Sequence, residues 1–360
     1  MTIRLVDAGS VPYLRSQTVY HGAAWAQRDG SPNTIILVSP DEPYVCIGLH
    51  QELEKEVDVS FCSAHNIPVV RREVGGGAVY LDSDQLFVQW VFQPDSLPRR
   101  VEHRFELFAK PLVGTYRELG IPAYFRPVND IQVNGKKIGG TGAAAIGRAE
   151  VLVGSFLFDF NFELMANVLK VPDEKFRDKI HDSLQQYMTT MERELGAQPS
   201  RALVKDLYIQ QCERTLGEEV IEGQFTEPEL EAMAQYDAKF VTEEWLHQKG
   251  GLQRGGVKIH NDVWVYDTEL KAQGGLIRTT LRLRDNRIDD LSISGDFTFR
   301  PAEKLSELER VLVGQEVEGA KLRKTVADFY RAAGVESPGI EPETWVEAIM
   351  SVRTKMKPSG

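Results

Sequence analysis

Residues 69–90 read VVRREVGGGAVYLDSDQLFVQW. Two apolar residues lead into Arg71 and Arg72, three glycines follow at Gly75, Gly76 and Gly77, then AVYLD, and the stretch ends in an alternating run that reads as a strand, Leu86 to Phe92. Consecutive glycines remove every Cβ over their span and permit positive φ at each position. In a strand interior that only weakens packing. It helps where the chain turns sharply, or where a ligand must lie against the backbone. Taken locally, a glycine-rich hairpin turn and a ligand cradle are both open, and the rest of the chain has to decide between them.

The chain has 360 residues and a mass of 40.5 kDa, enough for two domains or one large one. Its net charge of -11 argues against general electrostatic attraction to nucleic acid, while leaving room for a local basic phosphate site. The N-terminal MTIRLVDAGS has no apolar stretch of signal-peptide length. No run approaches the roughly 18 apolar residues of a membrane span. Cys46, Cys62 and Cys212 are widely spaced and odd in number, which suggests neither a disulfide framework nor a zinc site. A reducing cytoplasm is the natural setting.

Outward from the opening stretch, strands and helices mix. TIRLVDAG, Thr34 to Ser39 and Tyr44 to Gly48 read as strands, with a helix from Tyr13 to Arg28 and a short one from Val57 to His65. A helical pattern covers Val101 to Leu119, where Pro111 is expected to kink or split it. Asn134-Gly135 reads as a tight hairpin turn between two strands, and Val151 to Phe160 as a third strand. Residues 162–250 switch to helical periodicity: FELMANVLKV, YMTTMERELG ending at Gly196, a helix between Ser200 and Gly217, and one from Glu227 to Trp245. A domain boundary is expected in the run Gly250, Gly251, Gly255, Gly256, giving domains 1–250 and 251–360. Beyond it come strands at WVYDTEL, GGLIRTTLRLRDN and RIDDLSISGDF, with Asp285-Asn286 as a turn. Helices follow at Ala302 to Leu312, Leu322 to Ala333 and Pro342 to Met350. The expected fold class is α+β: mixed, mostly antiparallel sheets with flanking helices, plus a small α/β accessory domain.

A second glycine-rich element, Lys136-Lys137-Ile138-Gly139-Gly140-Thr141-Gly142, follows Asn129-Asp130. Exposed backbone N–H groups beside Lys suit a phosphate or a developing oxyanion. One Asp beside a phosphate suits Mg²⁺, which takes one or two carboxylates and otherwise water and phosphate. Neither element has the G-x-x-x-x-G-K-[ST] or G-x-G-x-x-G nucleotide-binding spacing. A lone NGKK is more often a solvated hairpin tip, and a lone Arg-Arg pair surface charge. Two such elements with an Asn-Asp pair are what favour a site.

Here the residues meet a family. RREVGGGAVYLD resembles the R-R-x-x-G-G-G-x-V-x-x-D signature of lipoate–protein ligases, and NDIQVNGKKIGGTG their Asn-Asp and lysine segment. IGLHQELEKEVD resembles I-G-x-x-Q-x-x-x-x-E upstream, and KFVTEEWLHQ the end of the catalytic domain. LKAQGGLIRTTLRLRDNRIDDLSISGDF looks like the family's small accessory domain. The resemblance implies a class II biotin/lipoate ligase-like catalytic domain. It also implies an ATP-dependent, Mg²⁺-assisted reaction in which lipoic acid becomes lipoyl-AMP and then passes to a lysine of a lipoyl-domain acceptor. That acceptor would be a 2-oxoacid dehydrogenase E2, a glycine cleavage H protein or a specialised lipoate-binding protein. No nucleic acid or membrane partner is implied.

Carried over by residue, Lys137 is the catalytic lysine, holding first the substrate carboxylate and then the adenylate phosphate. Gly75, Gly76 and Gly77 would let acyl chain and nucleotide lie against backbone, flanked by Arg71 and Arg72. Asn129 and Asp130 would contact the phosphate, with Asp130 as the metal ligand. Ala78, Val79, Asp82, Gly140 and Thr141 would complete the lipoate and nucleotide site. Two places depart from the pattern. Leu81 stands where many members have His, and within KIHDSLQQYMTT, Gln185 and Tyr187 stand where the family usually has arginines.

Three other functions compete. An octanoyl or lipoyl transferase of the same fold needs a thiolate near the lysine, and all three cysteines lie outside the Lys137 segment. A biotin ligase shares the fold, but R-R-x-x-G-G-G and the C-terminal match speak against it. A degenerate carrier-binding protein would leave Lys137 and the triple glycine as relics.

Overall fold

The computed structural model describes residues 2–171, 176–249, 258–260 and 263–355. The chain forms two compact units: residues 1–47, 54–74 and 78–246, and residues 48–53, 75–77 and 247–360. The boundary expected at Gly250 to Gly256 lies outside the described residues.

The first unit holds an eight-stranded sheet. Val220–Glu222, Ile3–Val11, Thr34–Pro40, Gln85–Phe92, Ala149–Leu157, Lys136–Ile146, Asp130–Val133 and Tyr124–Arg126 lie side by side in that order. Ile3–Val11 runs parallel to both its neighbours, and every other pairing is antiparallel. The sheet is therefore mixed and mostly antiparallel, as expected. A separate three-stranded sheet pairs Tyr44–Ile47 in parallel with Val69–Arg71 and antiparallel with Val79–Leu81.

Gln85–Phe92 explains the layering. All eight of its residues are buried, which a strand achieves only when both sheet faces are covered. Alternate side chains enter different cores. Leu86, Val88, Trp90 and Phe92 pack with Phe105, Phe108 and Leu112 of the helix Val101–Glu118 and with Val204 and Tyr208 of Arg201–Leu216. Phe87 and Val91 pack with Val19, Tyr20 and Ala23 of Tyr13–Ala26 and with Met233 and Tyr236 of Glu227–Phe240. Burial of each large side chain contributes roughly 1.5–3 kcal/mol. The Trp90 indole N–H donates to the Tyr208 hydroxyl at 2.9 Å, so burial leaves no donor unmet.

Several local expectations change. Val101–Glu118 runs through Pro111 as one helix, because Phe105, Phe108, Leu112 and Tyr116 on both sides of it share one core. The expected Val57 to His65 helix is present as Val59–Ala64, capped by Asp58 accepting from the Phe61 N–H, and a short helix that was not expected, Leu53–Glu56, precedes it. The segment 187–196 begins on Tyr187, the last residue of the helix Arg177–Tyr187, and is next helical at Met191–Leu195, N-capped by Thr190. Glu227 to Trp245 divides into Glu227–Phe240 and Glu243–Leu246. Val220–Glu222 is a parallel edge strand inside the stretch expected to be helical. It has only three residues, too few for periodicity to show.

In the second unit, Lys258–His260, Val263–Ala272, Gly275–Arg284 and Arg287–Gly295 form an antiparallel sheet in chain order. Asp285 at φ 48° and Asn286 at φ 60° make the expected tight turn. Helices Lys304–Leu312, Gly319–Ala333 and Pro342–Met350 bring Leu308, Leu322, Val326 and Trp345 against Ile277, Leu281 and Ile293. Among the described residues no helix is long and apolar enough to cross a membrane.

Candidate functional site

The site in the first unit is built on the hairpin Asp130–Val133 and Lys136–Ile146. Asn134 at φ 49° and Gly135 at φ 82° form its turn. The register then slips: Ile131 faces Gly139, but Gln132 faces Lys137, so Ile138 is the extra residue of a β-bulge. The Ile138 side chain is buried and its carbonyl accepts from the Tyr116 hydroxyl at 3.1 Å. The bulge has a positional consequence. Residues three apart on a regular strand point to opposite faces. Here Lys137 and Gly140 share one face, because each stands opposite a residue of the pair Gln132 and Asp130. Lys137 Nζ sits 2.7 Å from Asp130 Oδ1. A Cβ on Gly140 would stand 3.0 Å from that ammonium, so the missing side chain is the space the lysine occupies.

Asn129 and Thr141 brace this arrangement. The Thr141 N–H and hydroxyl donate to the Asn129 carbonyl at 2.9 and 3.1 Å, and the Asn129 amide donates to the Thr141 carbonyl at 2.9 Å. On the other side of Lys137, its carbonyl accepts from the Thr189 N–H at 2.9 Å. The segment carrying Gln185 and Tyr187 therefore leads directly onto the Lys137 strand. Tyr187 is 60% exposed, and the Gln185 amide lies 3.1 Å from His181 Nε2. Lys137 and Asp130 are 40% and 25% exposed. Pairs as exposed as this stabilise a fold by about 0–1 kcal/mol, so the pairing is of little structural use.

Within the first unit, the residue that leads into the triple glycine touches the second glycine-rich element. Val74, which precedes the triple glycine, packs where a Cβ on Gly142 would lie 2.7 Å from its Cγ1. The triple glycine itself groups with the second unit. Within that unit a Cβ on Gly75 would meet the Phe297 carbonyl oxygen at 2.5 Å, and one on Gly48 the Gly76 carbonyl oxygen at 2.0 Å. The close backbone approach that glycine permits is here made by the chain itself.

The arginines separate in role. Arg71, expected to flank the acyl and phosphate site, is fully buried. Its guanidinium donates to the carbonyls of Trp245 at 3.1 Å and Leu246 at 2.6 Å, and the Trp245 indole N–H returns a bond to the Arg71 carbonyl at 2.9 Å. Arg72 is half-buried and donates to the Cys46 carbonyl at 3.2 Å, with the Cys46 thiol at 3.6 Å. Burial nevertheless pushes the Cys46 thiol up, against the lowering pull of Arg72. Burial also pushes Cys62 up to about 11 and Cys212 well above an ordinary thiol. Asp82 accepts from the Asp84 N–H at 3.0 Å, turning the chain into Gln85–Phe92. Burial raises its carboxyl, with the Asp84 N–H and the Tyr80 hydroxyl opposing. Leu81 lies in the core beside Tyr44, so an apolar contact occupies the place of the family's polar ring. Val79 is exposed and Ala78 half-buried.

Two residues were missed by sequence reading. Arg126 faces Asp130 across the strand pair, with Nη1 3.9 Å from Asp130 Oδ2. Its only sequence signal is its place four residues before Asp130. His21 is fully buried, with Nε2 accepting from the Glu73 N–H at 3.1 Å and Nδ1 placed 2.7 Å from the Gln17 carbonyl. An amide donor fixes Nε2 as the acceptor, so the neutral ring carries its proton on Nδ1. Burial lowers its pKa from 6.5 to about 4. Between those values the unfolded chain binds a proton that the folded chain does not. Stability is then full above pH 6.5 and falls as pH drops toward 4, by up to about 3 kcal/mol. Urea midpoints measured from pH 7 to pH 4 should show this slope, and His21→Gln should flatten it; an unchanged slope would refute the burial effect.

The sequence and fold match known proteins. A family model for the lipoyl protein ligase A/B catalytic domain matches residues 19–213, and one for the bacterial lipoate protein ligase C-terminus matches residues 265–349. Lipoate–protein ligase 1 of Staphylococcus aureus is 26% identical over 276 residues, 76% of this chain and 78% of that one. Octanoyltransferase LipM of Kyrpidia tusciae is 27% identical over 274 residues, 69% of this chain and 99% of that one. Among solved structures, the bipartite lipoate protein ligase of Thermoplasma acidophilum, described with its E2 lipoyl domain, superposes with a TM-score of 0.64. It is 29% identical and covers 72% of this chain and 100% of its own.

Proposed function

Because the chain belongs to the lipoyl protein ligase A/B family, we propose that it is an ATP-dependent lipoate–protein ligase with Lys137 at its reacting centre. The observation that carries this is the Lys137 ammonium, held 2.7 Å from Asp130 on a face opened by Gly140. Attack of a carboxylate on a triphosphate brings anions together, and a fixed cation offsets their repulsion. The lipoate carboxylate oxygen bonds to the α-phosphorus of ATP while the bond to the β-phosphate bridge breaks, releasing pyrophosphate. The neutral amine of the acceptor lysine then bonds to the acyl carbon, the bond to AMP breaks, and the amine proton leaves to solvent or base. Mg²⁺ would neutralise phosphate charge, with Asp130 as its one carboxylate ligand. Among the described residues no group of three or more His, Cys, Asp or Glu is placed for a metal, which suits an ion held largely by phosphate and water.

Residues 1–250 would carry the adenylate chemistry and residues 251–360 the accessory domain, in a reducing cytoplasm. Similarity to the Thermoplasma ligase, which is described with its E2 lipoyl domain, supports a lipoyl domain as acceptor.

The likeness to LipM supports a second reading, acyl transfer between carriers through a cysteine thioester. That chemistry needs a thiolate. All three cysteines are buried and their thiols are pushed up. Purified protein with ATP, Mg²⁺, lipoate and an apo lipoyl domain should give an ATP-dependent mass shift of the domain. A variant with all three cysteines changed to alanine should stay within about twofold of wild type, since none acts as nucleophile. Transfer without ATP from an acyl-carrier donor, lost in that variant, would establish the transferase instead.

A further inference from the structure

Asp130 faces two cations at once. Its Oδ1 lies 2.7 Å from Lys137 Nζ and its Oδ2 3.9 Å from Arg126 Nη1. Register puts all three on one face: Arg126 stands opposite Asp130, Asp130 opposite Gly140, and the bulge at Ile138 brings Lys137 to the same side. The close pairing poses a difficulty for the reaction. While Asp130 holds Lys137, the ammonium is neutralised toward an incoming carboxylate or phosphate. Once Lys137 turns away, the Asp130 carboxylate faces the triphosphate and repels it until a cation, either Arg126 or the Mg²⁺ it would hold, offsets its charge. Arg126 is 61% exposed and stands one short movement from a direct bond to Asp130. Its planar fork suits a carboxylate better than an ammonium does.

We propose that Arg126 is a positioning residue that takes over Asp130 when Lys137 turns to the substrate. The exchange is one of counter-ions. The Lys137–Asp130 contact opens, the Arg126–Asp130 contact closes, and one surplus positive charge remains on that face throughout. This builds on the adenylating reading of the site and adds to it a residue outside both glycine-rich elements.

A double-mutant cycle tests it, read as lipoyl-AMP and pyrophosphate formed from lipoate and ATP without acceptor. Arg126→Gln should slow adenylate formation roughly tenfold, while in an Asp130→Asn background the same change should have almost no effect, because no carboxylate then needs a counter-ion. Arg126→Lys should restore part of the loss. An Arg126→Gln loss that persists undiminished beside Asp130→Asn would mean direct contact with substrate and overturn the exchange. An Arg126→Gln enzyme as fast as wild type would also overturn it. Wild-type protein that forms no lipoyl-AMP would instead remove the adenylating reading, and this inference with it.

Discussion

Lys137→Ala should lower adenylate formation by about a thousandfold while leaving the unfolding transition almost unchanged. The kinetic figure follows from deleting a preorganised charge aimed at developing negative charge, which typically costs 10²–10³ in rate. Stability should hold because the side chain is 40% exposed and its pairing contributes about 0–1 kcal/mol. Gly140→Ala probes the same geometry from the other side. Its new Cβ would stand 3.0 Å from Lys137 Nζ and 3.1 Å from Cε. Both atoms belong to the end of a flexible side chain, so the strand should tolerate the methyl and the ammonium should move. Activity should then fall by about tenfold, with no loss of stability, since misplacing a catalytic group by about 1 Å costs up to 10²-fold. Pyrophosphate release and thermal unfolding, measured on the same samples, check both variants. A Lys137→Ala protein that makes lipoyl-AMP at the wild-type rate would remove Lys137 from the reaction.

Much of this geometry was legible in sequence, and the reason it was is local. LFVQWVF reads as a strand because its residues, Gln89 apart, are apolar and mostly β-branched or aromatic, and the structure adds that both its faces are covered, since all of Gln85–Phe92 is buried. Asn134-Gly135 and Asp285-Asn286 turn the chain because their side chains tolerate positive φ. Ser200 and Gly217 bound Arg201–Leu216 through cap chemistry. What sequence could not show depends on distant partners or on register. Spacing alone places Lys137 and Gly140 on opposite faces; only the bulge at Ile138 unites them. The neutral tautomer of His21 depends on a backbone amide at Glu73. The fate of Arg71 depends on carbonyls more than 170 residues away. A motif names the residue type a site uses, but the side chain goes wherever unmet backbone groups are buried.

Arg71→Ala is accordingly expected to destabilise the protein rather than to blunt its chemistry. The guanidinium is fully buried, and its donors satisfy the carbonyls of Trp245 and Leu246. Removing it takes those donors from two half-buried carbonyls, where an acceptor left unmet costs about 1–3 kcal/mol. It also opens a cavity beside Trp245, whose ring stacks on Phe240 with centroids 5.2 Å apart. A total loss of about 3 kcal/mol should lower the thermal midpoint by roughly 6–12 °C for a unit of this size. Arg71→Lys should rescue little, because one ammonium cannot reproduce the planar fork. At a temperature where the variant is still folded, its KM for ATP should stay within about threefold of wild type, as expected of a guanidinium engaged with the carbonyls of Trp245 and Leu246. Arg72→Ala is the contrast, since Arg72 is half-buried and borders Cys46 at the end of the three-stranded sheet. The assignment of Arg71 fails if Arg71→Ala melts with the wild-type protein and loses its affinity for ATP. That pair of results would put the guanidinium on phosphate and leave Trp245 and Leu246 to be held by other groups.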